Sequence, residues 1–423
     1  MAVHDGGVCA DCYGTYRRGQ VKDMKYEQGA ELMLDALRGI HGKFKKLYGQ
    51  AAMRLDDDTY ILSGGTGLLS DINEDNLVVC EISAGGLGEV FNVRKDINAV
   101  IFGITADMVS VSEGGSNVRT ALEDLAQLTG AELKVLPDAS PENIISALED
   151  TSVCLVKDMG GVATGSNIRK AVAGIQIVEK ACEAEVHGKL LGGTVPIDAG
   201  LAESYRREFR SDYVNRNEQG KIPFIGFDEK EFELRGQLID MGRELVKRDL
   251  SYGSWGNLSV RLNDDEMLIT PSSMDYFDIK PEDIVRVNIN THEYSDDQRT
   301  PSNEFLMHAA LYGKYEDCGA VIHTHSNGIS VFAACEAGFA AGHEEVRRLV
   351  GDTRVTRYER AGSPELAEAV ADTMLDTHAA VIPHHGAVYT GPSLQVAFRV
   401  AEAIEIRARN ILDFDSRPGD DEE

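Results

Sequence analysis

Two histidines one residue apart, His323 and His325, end the apolar run Ala320-Val321-Ile322 and carry the strongest chemical signal in the chain. The run reads as a buried strand, and the strand period of two turns both imidazoles to one face, within reach of a single cation. Neutral imidazole is the commonest metal ligand, but two alone make a poor site, so a third donor and a carboxylate are needed. One histidine on an apolar strand is more often a hydrogen-bonded core residue. A pair on one face puts two costly polar groups together and calls for a common partner. Upstream, Thr300-Pro301-Ser302-Asn303-Glu304 opens a helical pattern through Phe305, Leu306, Ala309 and Leu311 that leads to the histidine strand. Downstream, Ala379-Ala380-Val381-Ile382 reads as a second buried strand ending in His384-His385-Gly386. Successive strand side chains diverge, so only one of His384 and His385 can face the ion.

The elements that must position these groups can be read outward from them. A helix is expected from about Asp228 to Arg248, apolar at Phe232, Leu234, Leu238, Ile239, Met241 and Leu245. Gly253 and Gly256 bracket the turn into a strand from Leu258 to Leu262. The Gly256-Asn257 turn and the serine-rich turn at Ser272-Ser273 can offer backbone N–H groups and short hydroxyls to an anion. Ser302 is a good N-cap, and a helix N-terminus is equally an anion site. Glu304, in the expected first turn, is what a helix dipole favours, and His308 lies one turn further on the same face. A final helix, capped by Ser393, should bury Val396, Val400, Ile404, Ala408 and Ile411.

These residues carry a family resemblance. Ser254-Trp255-Gly256-Asn257-Leu258-Ser259-Val260-Arg261, Ile269-Thr270-Pro271-Ser272-Ser273, Pro301-Ser302-Asn303-Glu304, His323-Thr324-His325 and His385-Gly386 occur in the order found in the class II aldolase/adducin family, which includes fuculose-phosphate and rhamnulose-phosphate aldolases and ribulose-phosphate epimerase. Carried over position by position, the resemblance makes His323, His325 and His385 the metal ligands and Glu304 the acid/base carboxylate. It implies that Gly256, Asn257, Ser272, Ser273, Ser302 and Asn303 bind substrate or its phosphate. The sequence departs from the pattern at Ser273, where glycine is usual, and at Asn303, where a second serine is usual. A tyrosine proton donor expected in the segment around His343-Glu344-Glu345 is not there, and Tyr358 is nearby but off the motif position.

Composition bounds the rest. The 423 residues, 43% hydrophobic, suffice for two to three domains with full cores. A net charge of −28 repels phosphate backbones and anionic headgroups, so neither nucleic acid nor a membrane surface is expected as partner. The start, Met1-Ala2-Val3-His4-Asp5-Gly6, lacks the basic and apolar regions of a signal peptide, and a cytoplasmic protein is expected. Seven scattered cysteines point to reduced thiols, and Cys9-Ala10-Asp11-Cys12, a lone pair in a glycine-rich leader, reads as part of a loose terminus.

The first half repeats the second. Tyr48-Gly49-Gln50-Ala51-Ala52-Met53-Arg54-Leu55 aligns with Trp255-Gly256-Asn257-Leu258-Ser259-Val260-Arg261-Leu262, and Ala99-Val100-Ile101-Phe102-Gly103-Ile104 aligns with Ala320 to His325. Met159-Gly160 and Thr164-Gly165 align with His385-Gly386 and Thr390-Gly391. The three ligand positions therefore read Phe102, Ile104 and Met159, and that copy cannot hold the cation. Nothing between Asp71 and Ala99 resembles the Pro-Ser-Asn-Glu helix. Gly85-Gly86-Leu87-Gly88 lacks the strand-loop-helix order of a nucleotide loop and reads as a turn. An amphipathic helix is expected from Glu27 to Lys46 with Leu32, Leu34, Leu37 and Ile40 on one face, and another from Gly165 to about Gly188. The expected organisation is a leader (1–22), a degenerate domain (23–204), a linker (205–226), a catalytic domain (227–414) and an acidic tail (415–423).

The fold expected is α/β, two tandem α/β/α layered copies, each with a central mixed β-sheet flanked by helices. The resemblance implies an enzyme, a divalent-metal-dependent aldolase or lyase. It would cleave a carbon–carbon bond of a sugar phosphate or related hydroxy-carbonyl compound through a metal-stabilised enediolate. One ion per chain is expected, with Zn2+ suiting three imidazoles and Mn2+, Fe2+ or Co2+ as alternatives. A decarboxylase or epimerase on the same fold, and a non-catalytic adducin-like interaction protein, are the competing readings. A homo-oligomer, dimer or tetramer, is implied by the family's ring assemblies.

Overall fold

The computed structural model describes residues 24–40, 47–65, 67–213, 226–342, 344, 347 and 350–412. The leader with Cys9 and Cys12, the acidic tail, part of the linker, His343 and Glu345 lie outside the described residues. Two compact units emerge. The first comprises Met1–Thr120, Leu125–Cys182 and Asp198–Arg206, and the second comprises Ala121–Asp124, Glu183–Ile197 and Arg207–Glu423. Four residues of the first repeat, 121–124, are thus part of the second unit.

Each unit is built on one seven-stranded sheet. In the first, the strands are β1 (Tyr48–Arg54), β2 (Thr59–Ser63), β3 (Leu77–Glu81), β4 (Ala99–Ile104), β5 (Val135–Leu136), β6 (Val153–Val156) and β7 (Gly160–Gly165), in the order β3-β2-β1-β4-β7-β6-β5. In the second they are β8 (Asn257–Arg261), β9 (Glu266–Ile269), β10 (Val285–Asn288), β11 (Ala320–Thr324), β12 (Arg354–Val355), β13 (Ala379–Ile382) and β14 (Gly386–Gly391), in the order β10-β9-β8-β11-β14-β13-β12. The two orders are identical. All neighbours are antiparallel except the last pair at one edge, β5 with β6 and β12 with β13. The expected mixed α/β sheet with helices around it is observed twice.

The tight turn into the last long strand has the same cause in both copies. A Cβ on Gly386 would lie 2.2 Å from the Thr324 carbonyl oxygen, and one on Gly160 would lie 2.3 Å from that of Gly103. Only glycine lets the two strands approach there.

In the second unit, helices Phe305–Lys314 and Pro364–Thr373 cover one sheet face, their Met307, Leu311, Leu366 and Val370 clustering with Val321, Ala380, Ile382 and Val388. Strand alternation then sends His323 toward the side Val321 faces, where Glu304 precedes its helix. Helix Glu229–Lys247 starts at Asp228, whose carboxylate accepts from Glu231 N at 2.8 Å, and helix Leu394–Ile411 starts at Ser393.

Several sequence expectations need correction. The first helix runs Met24–Arg38, and Leu32, expected inside, is 43% exposed because Met33 with Leu34 and Leu37 forms the buried stripe. Phe232 and Val396, at the first turns of their helices, are exposed as well. Strand, loop and helix do occur in order around Gly85-Gly86: β3, a single 3-10 turn (Ile82–Ala84) and helix Leu87–Val93.

That helix is the counterpart of Phe305–Lys314, which sequence reading did not find. Arg54 donates to the carbonyls of Phe91, Arg94 and Ile97, and Arg261 donates to those of Tyr312, Tyr315 and Cys318. Each guanidinium also lies about 5 Å from an aromatic ring of the helix it holds, Phe91 and Tyr312. Seven residues containing Gly88 and Asn92 are too few to display a helical period.

Candidate functional site

His323 and His325 leave the end of β11, and His385 sits in the turn between β13 and β14. All three are buried. Their ring centroids lie 4.7 to 4.8 Å from one another, and they form a group whose donor atoms could hold a metal ion. The Nε2 atoms of His323 and His325 are 2.8 Å apart. Each outer nitrogen has an acceptor. His323 Nδ1 donates to Ala387 O at 2.9 Å, His385 Nδ1 to Glu123 Oε2 at 2.6 Å, and His325 Nδ1 faces Asp124 Oδ2 at 3.4 Å. Holding Nδ1 in this way fixes the tautomer that leaves Nε2 for an ion. Of the histidine pair, His385 faces the cluster. His384, at φ +61°, turns away and donates Nδ1–H to Ala121 O at 3.1 Å.

Glu304 closes the cluster. Its carboxylate lies 3.3 Å from His323 Nε2 and 3.0 Å from His385 Nε2. Despite that proximity, Glu304 Oε1 and His385 Nε2 are not aligned as a hydrogen bond, and both are buried without a hydrogen-bond partner. Two buried polar atoms without hydrogen-bond partners, set beside the other imidazoles, fit a site for a cation. Burial pushes the Glu304 carboxyl up, but His323, His385 and His325 outweigh it and hold the group well below its ordinary range. Burial lowers His323 to about 4. Burial also acts against a charged His385, but Glu304 and Glu123 on its two sides raise it well above 6.5.

Glu304 is the N-cap of helix Phe305–Lys314 rather than a first-turn residue, and its side chain makes no capping bond. The expectation that Ser302 caps this helix is corrected accordingly. Its hydroxyl accepts instead from Glu304 N, the N-cap's own amide, at 3.3 Å.

Behind the carboxylate runs a buried chain that sequence reading missed. Asn257 Nδ2 donates to Glu304 Oε2 at 2.7 Å, so Asn257 Oδ1, an acceptor, faces His308 Nε2 at 2.6 Å. Nε2 therefore carries the proton. Burial lowers His308 to about 3, which keeps the ring neutral, so Nδ1 accepts from Ser259 Oγ at 2.7 Å. Ser259 Oγ accepts in turn from Tyr312 OH at 2.8 Å. Only His308 had a local signal, one turn from Glu304.

The remaining expected site residues lie on adjoining loops. Ser272 N donates to Thr300 O and Ser302 N to Thr270 O, which holds the serine-rich turn against the start of the Glu304 segment. Ser272 and Ser302 are buried, Gly256 and Ser273 partly so, and Asn303 is exposed. Ser273 sits at φ +60°, where glycine is favoured, and Gly256 at φ +83°. Asn257 has both ends of its amide engaged inside the protein. A further buried group, Glu405, accepts from Ser326 Oγ, Gly328 N and Ile329 N at 2.7 to 3.0 Å, capping helix Asn327–Ala334 just after the histidines.

Residues 39–186 and 236–412 match the family described as Class II Aldolase and Adducin N-terminal domain. A 5-deoxy-D-ribulose 1-phosphate aldolase of Bacillus thuringiensis serovar kurstaki is 31% identical over 176 residues, 41% of this chain and 82% of that protein. An L-fuculose phosphate aldolase of Haemophilus influenzae is 34% identical over 179 residues, 42% of this chain and 81% of that protein. A 3-oxo-tetronate 4-phosphate decarboxylase of Escherichia coli K12 is 30% identical over 198 residues, 45% of this chain and 92% of that protein. No helix among the described residues is long and apolar enough to cross a membrane.

Proposed function

Because the chain belongs to the class II aldolase and adducin N-terminal domain family, we propose that it is a divalent-metal-dependent lyase that cleaves a carbon–carbon bond of a sugar phosphate or related hydroxy-carbonyl compound. The observation that carries the proposal is the buried Glu304 carboxylate set among three histidines whose outer nitrogens face acceptors. One ion is assigned to His323, His325 and His385, and the aligned positions of the first copy, Phe102, Ile104 and Met159, carry no imidazole. When bound, the ion supplies Lewis-acid polarisation of substrate oxygens. Zn2+ suits three imidazole donors, with Mn2+, Fe2+ and Co2+ as alternatives.

Glu304 moves the proton at the carboxylate oxygen facing the cluster. Asn257 holds the other oxygen from behind and is itself held by His308, which fixes the carboxylate's orientation. Gly256, Ser272, Ser273, Ser302 and Asn303 are assigned to the substrate or its phosphate, supported by the loops that join them. A decarboxylase is the second reading, favoured by the phosphorylated keto-acid decarboxylase among the relatives. Assembly into a homo-oligomer is carried with both readings.

The test is Glu304→Gln, with metal content and turnover measured on the same samples. Candidate substrates are ketose 1-phosphates, read by aldehyde release, and phosphorylated keto acids, read by carbon dioxide. The amide keeps size but cannot exchange the proton, so turnover falls about a hundredfold or more while the ion stays. A variant with near-normal turnover refutes the role of Glu304.

A further inference from the structure

We propose that Glu123 and Asp124, which the sequence places in the copy without ligands, are positioning residues of the histidine cluster. The inference rests on the reading that this cluster holds a divalent ion. Both side chains are buried, and 121–124 belongs to the same compact unit as the histidines. Glu123 Oε2 accepts from His385 Nδ1 at 2.6 Å, while Glu123 Oε1 accepts from Tyr358 OH at 3.0 Å. Both carboxylate oxygens are therefore fixed. Asp124 Oδ2 faces His325 Nδ1 at the longer distance of 3.4 Å.

The backbone keeps these acids in register with their imidazoles. Glu123 N donates to His384 O at 2.7 Å, and the His384 side chain donates to Ala121 O at 3.1 Å. His384 thus clasps the segment that orients its neighbour, His385. An acid at a helix start can be explained by the helix dipole alone, and Glu123 does begin helix Glu123–Thr129. The dipole does not require a carboxylate on an imidazole Nδ1. That contact fixes the ring's orientation, places the proton of the neutral ring on Nδ1 so that Nε2 is the atom offered to the ion, and raises the donor strength of the ligand.

The full-length protein, stripped with a chelator, is titrated with Zn2+ against a chromophoric competitor, and the visible spectrum of the Co2+-loaded form is recorded. Near-ultraviolet dichroism of the metal-free protein checks folding. Glu123→Ala weakens Zn2+ binding by about 10- to 100-fold. Glu123→Gln, whose amide oxygen still accepts Nδ1–H, loses less, and it decides the question if the alanine variant does not fold. Asp124→Ala loses less than Glu123→Ala, in keeping with its longer contact, and exposed Glu149→Ala loses nothing. Wild-type protein that binds no Zn2+ overturns the metal reading and this assignment with it. Wild-type binding with unchanged affinity and Co2+ spectrum in the Glu123 variants overturns this assignment alone.

Discussion

The two copies share scaffolding and differ in chemistry. Arg54 and Arg261 hold the same helix ends, and Glu179 bonds Thr105 as Glu405 bonds Ser326 at the matching strand exit. Where the second copy has the chain Asn257, His308, Ser259 and Tyr312, the first has Gln50, Leu87, Ala52 and Phe91 at the aligned positions, the last three packed in or against its core cluster. Ser83 stands where Glu304 does. Phe102, with Ile104 and Met159 beside it, fills the place of the three imidazoles. A buried polar network is tolerable only if every member is satisfied, so in a copy without the histidines and the acid, apolar side chains at the aligned positions are the stable alternative.

The comparison predicts its largest effect at the equivalent pair His323 and Phe102. His323→Ala removes the ion and the activity together, read by elemental analysis and turnover. Phe102→Ala costs about 3–5 kcal/mol of stability in its own copy and leaves metal content of the folded protein unchanged. An ion retained by the His323 variant, or lost in the Phe102 variant, breaks the division of roles.

Next in size is an acid-dependent effect confined to the second copy. His308 titrates near 3 in the folded protein, below its ordinary 6.5, so between those values the unfolded chain binds the extra proton. Stability therefore falls as pH drops through that window. In metal-free protein, urea unfolding at pH 7 and pH 4 should show roughly 3 kcal/mol less pH-dependent loss for His308→Gln. Leu87→Gln, at the aligned position, should leave the loss unchanged. Equal losses in wild type and His308→Gln would remove the neutral-imidazole account.

The smallest effect is the one expected to be alike in both copies. Arg54→Met and Arg261→Met each lose charge-assisted bonds to helix-end carbonyls, about 2 kcal/mol apiece by calorimetry. A cost confined to Arg261 would mean that the shared contacts are not equivalent.

What was legible in the sequence was what is local. His323 and His325 share a strand face, and Glu304 and His385 fall in short ordered motifs, so their meeting could be anticipated. The N-cap position of Glu304 could not, because Ser302 offers the better local cap and the Glu304 carboxylate makes no capping bond and turns to the histidines. Asn257, Ser259 and Tyr312 carry no local mark of a network, since their partners lie on a strand and a helix about 50 residues apart. Leu87–Val93 was hidden by its brevity. Glu123 and Asp124 read locally as acids at a helix start, and their partners are 262 and 201 residues away.

That last separation has a consequence during synthesis. At about 5–20 residues per second, roughly 13 to 50 s pass between the making of Glu123 and the making of His385. The first sheet can pair all of its strands within that interval, since β7 ends at Gly165. The stretch 121–124 cannot reach its final bonding until the ribosome has delivered the histidine turn. A nascent chain halted before residue 385 would therefore hold one finished sheet and an unclosed acid pair, and protection of the amides of 121–124 from exchange would report when the second half arrives.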